Sequence, residues 1–194
     1  MSAAGSSPRV TSEELIDALV DARRVELELI EGMAESQMLG RKAHFLEPPI
    51  WEMGHVGWFQ EYWILRHLDH AATLLPGSDG VYDSFNVSYK LRWDHEYPSR
   101  RETHAYISEV LNHSIGRLES REPSAQDVYF YTLGALHEDM HTENLTLILQ
   151  TLGYARPKLS LIDCACGDPP VNPAYLPHDI AVPGGSFQIG RAHV

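Results

Sequence analysis

The sharpest chemical signal in this sequence is the stretch H-E-D-M-H at residues 137–141. Its two histidines are four residues apart, so on a helix they project from one face, about 6 Å apart along the axis. Two imidazoles in that arrangement can bind one metal ion. The spacing therefore predicts a helical metal site that contains His137 and His141.

A third ligand is predicted at His55, inside the stretch W-E-M-G-H-V-G-W-F-Q. This histidine lies mid-way along an aromatic stripe that faces the core, where an unpaired imidazole would be costly. A lone histidine there would be a core residue bonded to a carbonyl, but three inward histidines favour a metal. Zinc would add a water as fourth ligand, whereas iron(II) would keep up to three open positions. The spacing does not choose between these metals.

The same letters match H-E-x-x-H, the motif that gives zinc proteases two ligands and a glutamate base. Such proteases need a further ligand downstream and a sheet edge for the substrate. Downstream of His141, the sequence offers His178 and His193 in irregular surroundings and no strand-rich half. We therefore do not favour a protease, and we interpret Glu138 as part of a solvated helix face.

Four helices are predicted to position these residues, and they give an all-α fold. Helices are expected at about 12–38, 50–68, 100–120 and from Ser124 to Gly153, three of them opened by capping patterns or by proline. Residues 71–98 have no sustained periodicity and form a long connection. The arrangement predicts a four-helix bundle with a long crossover loop and an irregular C-terminal tail.

Composition excludes several classes of function. The formal charge of −12 disfavours binding to nucleic acid or to an anionic membrane surface. No apolar run approaches the roughly 20 residues that span a bilayer. Cys164 and Cys166 are too close for an ordinary mutual disulfide, and C-x-C alone is weak support for a metal site. A cytoplasmic protein is the default expectation.

Three motifs in this order resemble one known family. P-P-I-W-E-M-G-H-V-G-W-F-Q-E at 48–61 and H-E-D-M-H-T-E at 137–143 are similar to the N-terminal DinB-type domain of the ergothioneine-synthase-like non-heme iron enzymes. P-G-G-S-F-Q-I-G at 183–190 resembles the opening of their second domain, which is related to formylglycine-generating enzymes. The resemblance implies a DinB-like bundle with Fe(2+) held by His55, His137 and His141.

Within that family, V-Y-D-S-F-N-V-S-Y-K-L-R-W at 81–93 most resembles the selenoneine synthase branch. The resemblance implies oxygen-dependent joining of hercynine to a selenosugar through a C–Se bond, where ergothioneine synthases use a thiol donor and form C–S. Ergothioneine synthases commonly place a glutamine that contacts the substrate imidazole just before the last ligand. Here that residue is Met140, which fits a different branch.

The resemblance also implies a domain plan: a disordered leader at 1–10, a metal-binding bundle at 11–155, a linker at 156–181 and the start of the second domain at 182–194. Because the family's catalytic tyrosine and remaining substrate contacts lie in that second domain, we expect the chain to be an incomplete enzyme. Two alternatives stay open. One is a DinB-type thiol transferase using zinc or nickel, and the other is a catalytically silent helical interaction module.

Overall fold

The structure, a computed structural model, describes residues 10–43, 45–119, 121–160 and 184–186. It contains six α-helices and, within those ranges, no strand, which confirms the all-α prediction. The chain divides into two compact units, Met1–Leu161 and Ile162–Val194. No helix in the described ranges is long and apolar enough to cross a membrane.

Helix α1, Ser12–Glu31, begins at a capping box in which Thr11 and Glu14 exchange hydrogen bonds. The prediction of one helix over 12–38 is wrong, because α1 ends at Glu31, with Gly32 as its C-cap, and a short α2, Glu35–Leu39, follows. Arg100 stabilises the break between α1 and α2 at this position. Its guanidinium donates to the carbonyl groups of Ile30 and Met33, at 2.6 and 2.7 Å, which a continuous helix would use for its own bonds.

Helix α3, Pro49–Gln60, follows Pro48, and a π-helical segment, Glu61–His67, continues it. The two together occupy the predicted helix at 50–68. Nearly every residue of α3 is buried, including both of its glycines. A Cβ added to Gly57 would lie 2.5 Å from Cγ2 of Ile107, so the glycine permits close approach of the helix that contains Ile107.

Helix α5, Arg100–Leu118, and helix α6, Ala125–Leu152, agree with the predicted third and fourth helices. Each begins at a capping box, at Ser99 and Ser124. Helix α6 ends at Gly153, whose φ of 68° is the left-handed conformation that glycine adopts without strain.

The long connection between the second and third long helices contains two short elements that the sequence did not predict. These are α4, Asp79–Tyr82, and a 3₁₀ turn, Tyr89–Leu91. Two tryptophans of α3 fix the connection in place. The Trp51 indole donates to the Val81 carbonyl at 2.9 Å, and the Trp58 indole donates to Asp79 at 2.7 Å. The crossover is therefore an ordered cover on α3.

The core lies where the four long helices meet, with α6 packed on α1 and α3, and α5 packed on α3. Its fully buried apolar residues come from each of these helices and from the π-helical segment: Leu19, Met53, Ile64, Ile107, Leu145 and Ile148. Polar groups also occur at core depth and are described below. Within the predicted tail, residues 154–160 and 184–186 form no helix or strand. Most of the predicted linker and second-domain segment lies outside the described residues.

Candidate metal centre

The three predicted ligands converge between α3 and α6. One ring nitrogen from each of His55, His137 and His141 lies within 4.8 Å of the other two. The ring centroids are 4.5 to 5.0 Å apart. His55 and His141 are buried, and His137 is half-buried. The group is thus placed inside the bundle but reaches its surface on one side.

His55 is held by the crossover connection and by α3. Its Nδ1 lies 2.7 Å from the backbone carbonyl oxygen of Tyr82. Because a carbonyl only accepts, Nδ1 carries the proton, which leaves the Nε2 lone pair free. The imidazole also stacks on Trp51 with 4.3 Å between ring centroids. The orientation of this ring is therefore fixed from two sides.

His141 is held by a carboxylate. Its Nδ1–H donates to Glu52, which is fully buried one turn before His55 on α3. The second carboxylate oxygen of Glu52 accepts a hydrogen bond from the Asn144 amide. A carboxylate in this place fixes the tautomer of a histidine and makes its other nitrogen a better metal ligand.

Among the described residues, His137 is held by ring stacking. Its ring lies over Phe59 with 3.6 Å between centroids and 8° between planes. Its Nδ1 is buried and has no hydrogen-bond partner among the described residues. A buried nitrogen with a free lone pair is costly unless something binds it, and a metal ion would do so.

Two of the three histidines are kept neutral by their surroundings. Burial, and then the neighbouring His141 and His137, hold the pKa of His55 well below its usual value. Burial, with His141 adding to it, lowers the pKa of His137 to about 3. Protons therefore do not compete for these lone pairs at neutral pH.

The arrangement fits a divalent transition metal. Three nitrogens bound at about 2.0–2.2 Å in tetrahedral geometry lie about 3.4 Å apart, so small side-chain rotations would close the present group. Three neutral imidazoles leave coordination positions for other ligands.

The interpretation of Glu138 as a solvated surface group is wrong. It is fully buried on the inner side of α6, where it is paired with Arg23 at 2.5 Å and accepts from the Gln60 amide at 2.5 Å. Sequence periodicity did not predict that Glu138 is buried, because the Arg23 guanidinium that compensates its charge comes from another helix, α1. A glutamate bound in this way is not free to act as the base of a zinc protease, so the geometry opposes that function.

A second glutamate, Glu26 on α1, is buried beside this pair, 3.3 Å from the Arg23 guanidinium. Its other charged neighbours are Glu138 on α6 and Glu52 on α3. Burial, and then the Glu138 charge, raise the pKa of Glu26 well above its usual value, against the opposing effect of Arg23. One guanidinium balances one carboxylate, so Glu26 is held as the neutral acid.

We expect Glu26→Gln to stabilise the protein increasingly as the pH rises. Because the folded pKa is raised, the stability contributed by protonated Glu26 is complete below its unfolded pKa, near 4.3, and is lost as the pH rises through the folded value. Glutamine keeps the neutral shape without that loss. Urea unfolding at pH 5 and pH 8 measures the difference, with the exposed Glu31→Gln on α1 as the control. The same small change for both variants at both pH values would mean that Glu26 is ionised in the fold.

The centre opens to solvent beside α6. A cavity of about 520 Å³ borders His141 and is lined also by Glu47, Met140, Glu143, Asn144 and Leu147. Met140, at 52% exposure, stands at this opening. Glu47 is paired with Arg92, whose guanidinium lies 3.8 Å from the Trp51 ring centroid. The crossover connection therefore closes one side of the centre, and the cavity leaves the other accessible.

The remaining histidines and cysteines do not join the described site. Four of the remaining histidines are exposed: His67, His70, His104 and His113. His95 is partly buried in the crossover connection and does not belong to the ligand group. His44, Cys164, Cys166, His178 and His193 lie outside the described residues.

Sequence reasoning missed three contributors to the site: Glu52, Asn144 and the Tyr82 carbonyl. Two of them carried a usable signal. Glu52 is a lone charge within an apolar segment, three residues before His55, and Asn144 lies three residues after His141. On a helix both spacings place the polar residue beside the ligand. The Tyr82 carbonyl had no such signal, because it comes from the non-periodic connection.

Comparison with known proteins shows the family of the chain. The DinB superfamily profile matches residues 18–144, which include all three histidines. The hercynine oxygenase of Mycobacterium tuberculosis is 26% identical over 135 residues, or 69% of this chain. That of Mycolicibacterium thermoresistibile is 26% identical over 179 residues, or 91% of this chain. The chain spans only about a third of these relatives, 31% and 39% of their lengths. Because the profile covers most of the chain, the chain belongs to the DinB superfamily.

Proposed function

We propose that this chain binds one divalent metal through His55, His137 and His141, and that it is the metal-binding part of an iron(II)- and oxygen-dependent enzyme acting on hercynine. The observation that carries the proposal is the convergence of three histidines whose ring nitrogens lie within 4.8 Å of one another. The tautomer of His55 and the ring of His141 are fixed so that the remaining lone pairs are available.

The chain's own residues would hold the metal, orient its histidine ligands and exclude water. The Tyr82 carbonyl orients His55, and Glu52 orients His141. Trp51 stacks on His55, and Phe59 stacks on His137. Fixed ligands spare the site the cost of reorganisation when substrates bind. When bound, iron(II) would supply the redox chemistry that a reaction with oxygen needs.

Hercynine is proposed because both relatives are hercynine oxygenases. The finer proposal is a selenoneine synthase-like reaction, which forms a C–Se bond between hercynine and a selenosugar. It rests on the resemblance of residues 81–93 and on Met140, which stands at the opening of the centre. The sulfur reaction with a thiol donor is the closest alternative. A cytoplasmic location stays a prediction from the cysteine content.

The domain plan is also part of the proposal. Residues 182–194 would begin a second domain, after a linker at 156–181, and that domain would carry the catalytic residues.

The test is oxygen uptake by protein purified without oxygen and loaded with iron(II). We expect the 194-residue chain to bind iron yet consume little oxygen with hercynine and either donor. The same chain extended by a full second domain should consume oxygen and release a product with a new C–Se or C–S bond. A preference for the selenosugar would support the selenoneine branch.

A thiol transferase is the second candidate, and one observation favours it. All three histidines lie within the segment that matches the DinB superfamily, so metal binding needs no second domain. A metal there would lower the pKa of a bound thiol, and that chemistry needs no oxygen. Rapid oxygen-independent thiol transfer by the 194-residue chain would establish this function and contradict the hercynine proposal.

A further inference from the structure

One guanidinium in the core, that of Arg23 on α1, is hydrogen-bonded to the other three long helices. Arg23 of α1 is 3% exposed, and it donates to Glu138 of α6 at 2.5 Å and to the Ile107 carbonyl of α5 at 2.7 Å. It also donates to Gln60 of α3 at 3.2 Å. No other contact described above joins these four elements through a single side chain.

Three side chains of this group form a closed ring of hydrogen bonds. The Gln60 carbonyl oxygen accepts from Arg23, while the Gln60 amide nitrogen donates to Glu138 at 2.5 Å. Glu138 also accepts from Arg23 through its second oxygen, at 3.3 Å. Each hydrogen bond of the ring requires a particular position of both of its partners. Together these bonds therefore favour one relative orientation of α1, α3 and α6.

The ring is placed at the level of the proposed ligands. Glu138 directly follows His137 and lies three residues before His141, while Gln60 lies five residues after His55 on α3. A rotation of α6 that moved His137 away from His55 would pull Glu138 out of its pair with Arg23. The orientation of α6 and the geometry of the histidines are therefore fixed together.

Stability alone is a poor reason for such a ring. A buried ion pair loses much of its attraction to the cost of removing both charges from water, and apolar residues of similar size often serve stability as well or better. What an apolar core would lack is the directional bonding that selects one helix rotation. We propose that Arg23, Gln60 and Glu138 are positioning residues that fix the metal-binding histidines, an inference that rests on the proposed metal site.

The test measures cobalt(II) binding and its visible absorption spectrum in folded variants of the whole chain. The first variant is Arg23→Lys, which keeps the charge but loses the planar fork. The second is the double variant Arg23→Met/Glu138→Leu, which replaces the pair by apolar side chains. The control is Arg117→Lys, which alters a half-buried guanidinium that is paired with Asp127. Asp127 lies ten residues before His137, about 15 Å along α6.

We expect both Arg23 variants to bind cobalt(II) about 10- to 100-fold more weakly, with a changed spectrum, even where the melting temperature of the double variant equals that of the parent. Arg117→Lys should keep the parent's affinity and spectrum. Parental affinity and spectrum in the Arg23 variants would overturn the positioning role, and so would an equal loss in Arg117→Lys. Failure of both Arg23 variants to fold would show that the ring serves stability only. Absence of cobalt binding by the parent would instead refute the proposed metal site.

Discussion

Replacement of any one ligand by alanine, as His55→Ala, His137→Ala or His141→Ala, is expected to remove nearly all bound metal while the helices remain. Each change deletes one of the three proposed protein ligands. Loss of a residue that only hydrogen-bonds to a metal ligand typically lowers metal affinity about 10- to 100-fold. We expect a larger fall here, because the ligand itself is lost. Metal analysis of protein purified without oxygen measures occupancy, and circular dichroism measures helix content.

The exposed His104→Ala on α5 is the matched control, because it removes an imidazole without touching the group. It should keep the parent's occupancy. Among the three ligands, His55 is the most informative, since sequence spacing alone did not tie it to the other two. Parental occupancy in His55→Ala would mean that the third ligand has been misassigned.

The long helices could be predicted because their signals are local. Capping boxes at Thr11, Ser99 and Ser124 and a glycine stop at Gly153 all act within one turn of the residues that they cap. The break after α1 could not be predicted in this way. It depends on Arg100, which is distant in sequence and binds the carbonyl groups at the end of α1.

The site likewise has one part that local signals predict and one part that depends on distant residues. The pair His137 and His141 follows from helical periodicity, whereas their relation to His55 needs tertiary packing or a family resemblance. Glu138 shows the limit most clearly, because its type favours solvent and only a buried Arg23 makes its inward position stable. Residue type thus predicts burial poorly wherever the compensating partner lies on another helix.

Close packing around a glycine gives the second prediction of large effect, Gly54→Ala on α3. A Cβ at this position would lie 2.2 Å from two ring atoms of Tyr82, far inside van der Waals contact. That ring is 1% exposed and stacks with Tyr106, so it has little room to move. Overpacking of this kind typically costs about 1–3 kcal/mol, and we expect a value near the upper end, measured by urea unfolding.

The same change should weaken metal binding, because Tyr82 also supplies the carbonyl that fixes His55. Gly57→Ala is the matched control: its Cβ would meet Ile107 of α5 at 2.5 Å, so it should destabilise the bundle without moving Tyr82. Cobalt(II) affinity of the folded protein should therefore fall further in Gly54→Ala than in Gly57→Ala. A Gly54→Ala/Tyr82→Leu double variant should recover part of the lost stability, since it removes the ring that the new methyl group meets. Equal metal affinity in the two alanine variants would mean that the Tyr82 carbonyl does not position His55.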